Sequence, residues 1–134
     1  MLFTKASEYA LLSLILLAKS NEAKDVENIS KQLNISKSFL AKILQSLAKN
    51  GILASTRGVN GGFLLAKKPD EITIANIIEY AEKRPTNVFE CSGNIENCSS
   101  QIGEICTIWP IFNKLQILVD DFLTKITLKD IMQK

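Results

Sequence analysis

The sequence predicts a mainly α-helical chain that carries one β-hairpin and closes on a long helix. Three observations support this. Apolar residues recur at three- and four-residue steps over most of the chain. A Gly-rich stretch at 57–62 separates two short β-type runs. Pro110 stands in the first turn of the last periodic segment, where a missing N–H costs nothing.

Leu2 to Ser20 reads as a helix apolar almost all round, through Leu11, Leu12, Leu14, Ile15, Leu16 and Leu17, and so belongs in the core. Asn21 and Glu22 mark its end. Asp25 offers an N-cap for a short helix to Gln32, with Val26, Ile29 and Leu33 on one side, and Asn34 breaks it. After the three residues Asn34-Ile35-Ser36, either Ser36 or Ser38 caps a third helix to about Asn50, with Phe39, Leu40, Ile43, Leu44 and Leu47 inward. Asn50-Gly51 stops it, because glycine enters the left-handed conformation without a Cβ clash. Ile52 to Thr56 and Phe63 to Ala66 are the two β-type runs, and Pro69-Asp70 ends the unit. Thr73 caps a further helix over Ile74, Ile77, Ile78 and Ala81. From Arg84 to about Gly103 the composition turns to Pro, Asn, Ser, Gly and Cys, which is loop chemistry. The last helix then repeats Ile108, Phe112, Leu115, Val119, Phe122 and Ile126.

Three helices followed by a Gly-tipped hairpin is the order of a winged helix-turn-helix, assigned to residues 1–68; residues 69–134 hold the linker helix, the loop and the terminal helix. A chain of 134 residues, 46% of them hydrophobic, suits one domain and excludes disorder. Charge is uneven: residues 1–68 carry ten Lys/Arg and four Asp/Glu, whereas 69–134 carry six and ten. Ile35 to Lys68 holds six basic residues and no acid, which points to a polyanionic partner. With no histidine, His triads, His general bases and His-ligated zinc are excluded, and no other general acid/base pair or nucleotide loop suggests an enzyme. The most apolar run, Tyr9 to Ala18, is about half a membrane span, and no charged leader with a cleavage site precedes it; a cytosolic protein is expected.

The basic segment predicts contact with double-stranded DNA. Ser36, Lys37 and Ser38 open the recognition helix, where short polar side chains reach base edges and phosphates and the helix end itself favours phosphate. Lys42 and Lys49 follow on the same helix as phosphate contacts. Arg57, between strand and glycines, suits insertion into a narrow minor groove, with Gly58 and Asn60 completing the tip. An ordinary solvated basic helix is the competing account, although such faces usually mix signs.

All three cysteines lie in one stretch, Cys91-x6-Cys98-x7-Cys106. An odd number of thiols in a polar loop argues against a disulfide framework and for metal. The spacing is looser than zinc knuckles and favours an iron–sulfur cluster, 2Fe–2S or 4Fe–4S; zinc and a thiol redox switch remain alternatives. Glu8, Glu90, Glu96, Glu104 or a small exogenous ligand stands as candidate for a fourth position. An electron-transfer or metal-handling protein with a basic docking face is the competing functional class.

Taken together, the segments resemble the family of winged-helix iron–sulfur transcription regulators that includes IscR and NsrR. The matching residues are the opening Leu2-Phe3-Thr4-Lys5-Ala6-Ser7-Glu8-Tyr9-Ala10, the recognition segment Ile35 to Leu44, and the wing Arg57-Gly58-Val59-Asn60-Gly61-Gly62-Phe63-Leu64-Leu65-Ala66. Three cysteines and a long helix ending in Ile126-Thr127-Leu128-Lys129-Asp130 follow. The resemblance implies a homodimer whose terminal helices cross, a cluster near that interface, and DNA affinity set by the cluster, with Ser36, Lys37, Ser38 and Arg57 at DNA-contacting positions. Two features depart from it. Members of the IscR type carry a histidine three residues after the third cysteine, where this chain has Trp109, and the cysteine gaps are longer than the commoner five residues. Some relatives use an acidic residue from the partner's first helix as a ligand, and Glu8 occupies that place. A solvated carboxylate favoured by the helix dipole is the competing reading of Glu8.

Overall fold

The computed structural model describes residues 3–132. The first helix, α1 (Lys5–Lys19), starts later than the sequence periodicity suggests: Thr4 is extended and its hydroxyl accepts the Ala6 N–H, which fixes the N-terminus. Leu2 lies outside the described residues. Ala10, Leu14 and Leu17 are buried, so α1 is central as its composition predicts, although Leu12 is left 40% exposed.

Asp25 caps α2 (Val26–Leu33) by accepting the Asn28 N–H at 2.7 Å, and Asn34 ends it in the left-handed conformation. The recognition helix is α3 (Lys37–Lys49). Ser36 occupies its cap position, but its hydroxyl lies 3.2 Å from Ser38 Oγ instead of bonding the helix backbone. Leu40, Ile43, Leu44 and Leu47 are buried as expected. Phe39 is not: it is 42% exposed and meets Tyr9 edge-on, ring centroids 5.6 Å apart. One residue off the buried stripe is about 100° around the helix, enough to carry Phe39 out of the core. Gly51 takes φ +80°, the left-handed stop its position predicts.

The hairpin pairs β1 (Leu53–Thr56) with β2 (Gly62–Leu65) antiparallel, Leu53 opposite Leu65 and Thr56 opposite Gly62. Lys24, between α1 and α2, adds a one-residue third strand through two backbone bonds with Phe63, of 3.0 and 2.7 Å. Gly62 makes this possible. Its φ is +151°, and a Cβ there would overlap the Lys24 carbonyl.

Thr73 caps α4 (Ile74–Glu82), which buries Ile77, Ile78 and Ala81 against α1 and α3. A strap leads on through two 3₁₀ turns, Ile95–Asn97 and Gly103–Ile105, to α5 (Trp109–Lys125), with Pro110 in its first turn. That helix does not run on to Asp130. Ile126 is extended and accepts the Ile74 N–H at 2.9 Å, while the Leu128 N–H reaches the Ile72 carbonyl at 2.9 Å. A new short helix, α6 (Leu128–Met132), starts there, capped reciprocally by Thr127 and Asp130. The break buries Leu128 completely, and one buried cluster runs from Ala10 through Ile77 to Leu128. Among the described residues no helix is long and apolar enough to cross a membrane.

Candidate functional site

The α3 face opposite its buried stripe presents Ser38, Lys42 and Lys49, with Lys37 at the first helical position, all exposed. None of these lysines, nor Arg57, forms an ion pair among the described residues. Cations left without carboxylate partners keep their full charge for a polyanion. Ser36 and Ser38 stand at the helix N-terminus with their hydroxyls adjacent, where backbone N–H groups are also unsatisfied.

Residues 55–60 of the hairpin are exposed throughout, with Arg57, Gly58, Val59 and Asn60 at the tip. A tight turn closes there, the Gly61 N–H donating to the Gly58 carbonyl at 3.0 Å, and Gly58 takes φ +106°. The structure therefore sets Arg57 on a projecting, narrow tip whose base is fixed by Gly62 and Lys24.

Side-chain bonds from α5 anchor the Cys91 end of the thiol loop. Trp109, Asn113 and Gln116, one stripe of α5, hold the first part of the strap. The Trp109 indole donates to the Cys91 carbonyl at 2.8 Å and the Asn113 amide to the Ser92 carbonyl at 2.8 Å. Gln116 is 2% exposed: its oxygen accepts the Val88 N–H and the Ser92 hydroxyl, while its amide donates to the Thr86 carbonyl and to Asp120. A buried polar group so fully bonded rigidifies its surroundings. Trp109 is thus a holder of Cys91.

Cys98 and Cys106 each end a 3₁₀ turn, and the two turns meet where Gly103 lies against Ile95. The N–H groups of Ile102 and Ser100, with a smaller contribution from Gln101, hold the Cys98 thiol below its ordinary pKa against the opposing effect of desolvation. The three cysteines are free thiols, half-buried, and the donor chemistry fits cluster iron: soft sulfur ligands, one already surrounded by amides. Among the described residues no group of three or more Cys, Asp or Glu side chains converges on one point. Glu8 is also apart from them, in the first turn of α1, half exposed and paired to Lys5 at 2.9 Å.

One buried carboxylate escaped the sequence reading. Glu82, at the end of α4, accepts the Thr4 N–H at 3.0 Å and the Thr4 and Ser7 hydroxyls, both at 2.5 Å. It ties the beginning of the strap to the beginning of α1, four residues from Glu8 at the Thr4 end. Its sequence signal, an acid in the last turn of a helix whose dipole disfavours it, is weak.

The sequence model of the Rrf2 family, described as an iron-dependent transcriptional regulator, matches residues 3–134. The transcriptional regulator NsrR of Bacillus licheniformis is 35% identical over 98% of this chain and 92% of its own. IscR of Pectobacterium atrosepticum is 31% identical over 98% of this chain and 79% of its own. Among solved structures, CymR, the global cysteine regulator of B. subtilis, superposes with a TM-score of 0.72 at 25% identity, over 97% of this chain and 95% of that one. These relatives are named as transcriptional regulators, not enzymes, and this chain belongs to the Rrf2 family of transcriptional regulators.

Proposed function

We propose that the protein is a dimeric repressor, working in the cytoplasm, that reads a double-stranded operator through Ser36, Lys37, Ser38 and the Arg57 wing, and whose affinity is set by an iron–sulfur cluster on Cys91, Cys98 and Cys106. The observation that carries the DNA reading is the exposed, acid-free face of α3 together with an exposed Arg57 at the hairpin tip, none of their cations in an ion pair among the described residues. The dimer rests on the outer side of α5, where Ile111, Ile117, Leu118 and Phe122 are each 59–66% exposed. The partner subunit's Glu8 is the proposed fourth ligand, a carboxylate more easily displaced than a thiolate.

When bound, the cluster would supply a centre that reacts with oxidants or nitric oxide or is lost when iron is scarce. The chain's own residues supply the coupling. Gln116 and Trp109 fix the Cys91 end of the loop to α5, and Glu82 fixes the strap to the start of α1. A change in the loop therefore bears on both the dimer helix and the first helix of the DNA-binding region. Anaerobic purification with iron and sulfide counts tests the cofactor. Matching iron and sulfide, lost with any one Cys→Ala change while the dimer stays folded, is the expected result.

A thiol switch without metal is the second reading, favoured by three free, half-buried thiols, one of them with a lowered pKa, and by the likeness to a cysteine regulator. Protein free of iron whose DNA affinity changes on oxidation and recovers on reduction would select it.

A further inference from the structure

We propose that the cleft between the C-terminal halves of α3 and α4 is a second seat for the DNA backbone, with Lys83 and Arg84 carrying phosphates beyond those of the recognition helix. The proposal rests on the DNA reading above and extends its footprint to a different element. The cleft, of about 650 Å³, is lined by Lys42 and Lys49 from α3 and by Lys83 and Arg84 from the end of α4. Its floor is tied together where the Ser46 hydroxyl donates to the Tyr80 carbonyl at 2.7 Å.

Charge and conformation both mark the place. Four cations line one cleft with a single carboxylate, Glu79, among the lining residues. Lysines near helix C-termini are commonly explained by the helix dipole. That account covers Lys49, in the last turn of α3, but not Lys42, seven residues earlier, nor Arg84, beyond the end of α4. Among the described residues the one carboxylate Arg84 approaches is Glu82, at 3.9 Å, and that carboxylate is already bonded to Thr4 and Ser7. Lys83 closes α4 in the left-handed conformation (φ 60°), a geometry uncommon for a residue other than glycine or asparagine. Because Lys42 and Lys49 belong both to the exposed α3 face and to the cleft, a phosphate chain leaving that face meets Lys83 and Arg84 next.

The test is the salt dependence of DNA binding by the full-length protein. Each phosphate contact contributes about 0.9 to the slope of log affinity against log salt. The double variant Lys83→Ala/Arg84→Ala is expected to lower that slope by about 1.8, on specific and random DNA alike. Its loss in affinity relative to wild type then shrinks about 12-fold between 50 and 200 mM salt. Lys83→Arg/Arg84→Lys keeps the slope, and Lys129→Ala, on α6, leaves it unchanged. In wild-type protein, bound DNA protects Lys83 from an amine-acylating reagent. An unchanged slope in the double variant, while Lys42→Ala lowers it, overturns the second seat and leaves the recognition helix as the contact. Inorganic phosphate protecting Lys83 where DNA does not makes the cleft a small-anion site and overturns it too. Wild-type protein without measurable DNA affinity refutes the underlying function along with it.

Discussion

Glu82→Gln removes one charge and leaves almost the same shape. Three donors, the Thr4 N–H, the Thr4 hydroxyl and the Ser7 hydroxyl, converge on one oxygen of a side chain that is 7% exposed. A hydrogen bond to a charged group contributes about 1.5–3 kcal/mol, and one between neutral groups about 0.5–1.5 kcal/mol. Weakening three bonds by about 1 kcal/mol each, less the desolvation relieved when the charge goes, gives a net loss of about 2 kcal/mol. In a chain of this size that lowers the melting temperature by about 6–10 °C. The pH dependence has a definite sign. Burial raises the Glu82 pKa, but the bonds from Ser7 and Thr4 outweigh it and hold the carboxyl below its usual value. Its contribution is therefore present above the unfolded carboxylate pKa of about 4.3 and is lost as pH falls through the lower folded value. Urea unfolding followed by circular dichroism, at one fixed protein concentration because the proposed dimerisation would be linked to stability, measures both effects. A Glu82→Gln protein with the wild-type midpoint at pH 7, or with the same loss of stability on acidification, refutes the role given to this carboxylate.

Gly62→Ala forces a Cβ onto the Lys24 carbonyl at φ +151°, so it should destabilise the fold by about 2–4 kcal/mol and weaken specific DNA binding through the wing; denaturant melts and anisotropy titrations together check it. Arg57→Ala should weaken operator binding by about 1–3 kcal/mol and binding to random DNA much less, if the side chain enters the minor groove. Equal losses on both DNAs would reduce it to a phosphate contact. Trp109→Phe deletes the bond to the Cys91 carbonyl, costing about 1 kcal/mol, and should speed alkylation of Cys91 in iron-free protein while leaving Cys98 and Cys106 at wild-type rates.

Local signals in the sequence located most of the fold. Asp25, Asn34, Asn50-Gly51, Thr73 and Pro110 act within a few residues of where they stand, and each does what its chemistry predicts. The Arg57 to Ala66 wing was legible for the same reason, and with the opening and recognition segments it pointed to the family the chain belongs to. What escaped was decided at a distance. Ile126 leaves its helix because Ile74 and Ile72, some fifty residues earlier, offer backbone partners. Thr127-Leu128-Lys129-Asp130 does carry a capping pattern that marks the restart, but the apolar period running through Ile126 masks it. Lys24 pairs with Phe63 across two helices, Glu82 reaches back to Thr4, and Gln116 sits as a lone amide in an apolar helix until the strap closes over it. The cysteines were conspicuous in sequence because they lie so close together along the chain; the fold puts one on a turn and the other two at the ends of 3₁₀ turns, and among the described residues they do not form a three-ligand group.

The central claim is that this chain binds a specific DNA sequence and that its thiol loop controls how tightly. A fluorescence-anisotropy titration of DNA upstream of the protein's own operon, run with anaerobic iron-loaded protein and again after iron removal, tests it most directly. The account predicts tight, competitor-resistant binding in one state and at least a tenfold weaker affinity in the other, with the difference lost in the Cys98→Ala protein. Equal affinity for that DNA and for random sequence in both states would contradict it.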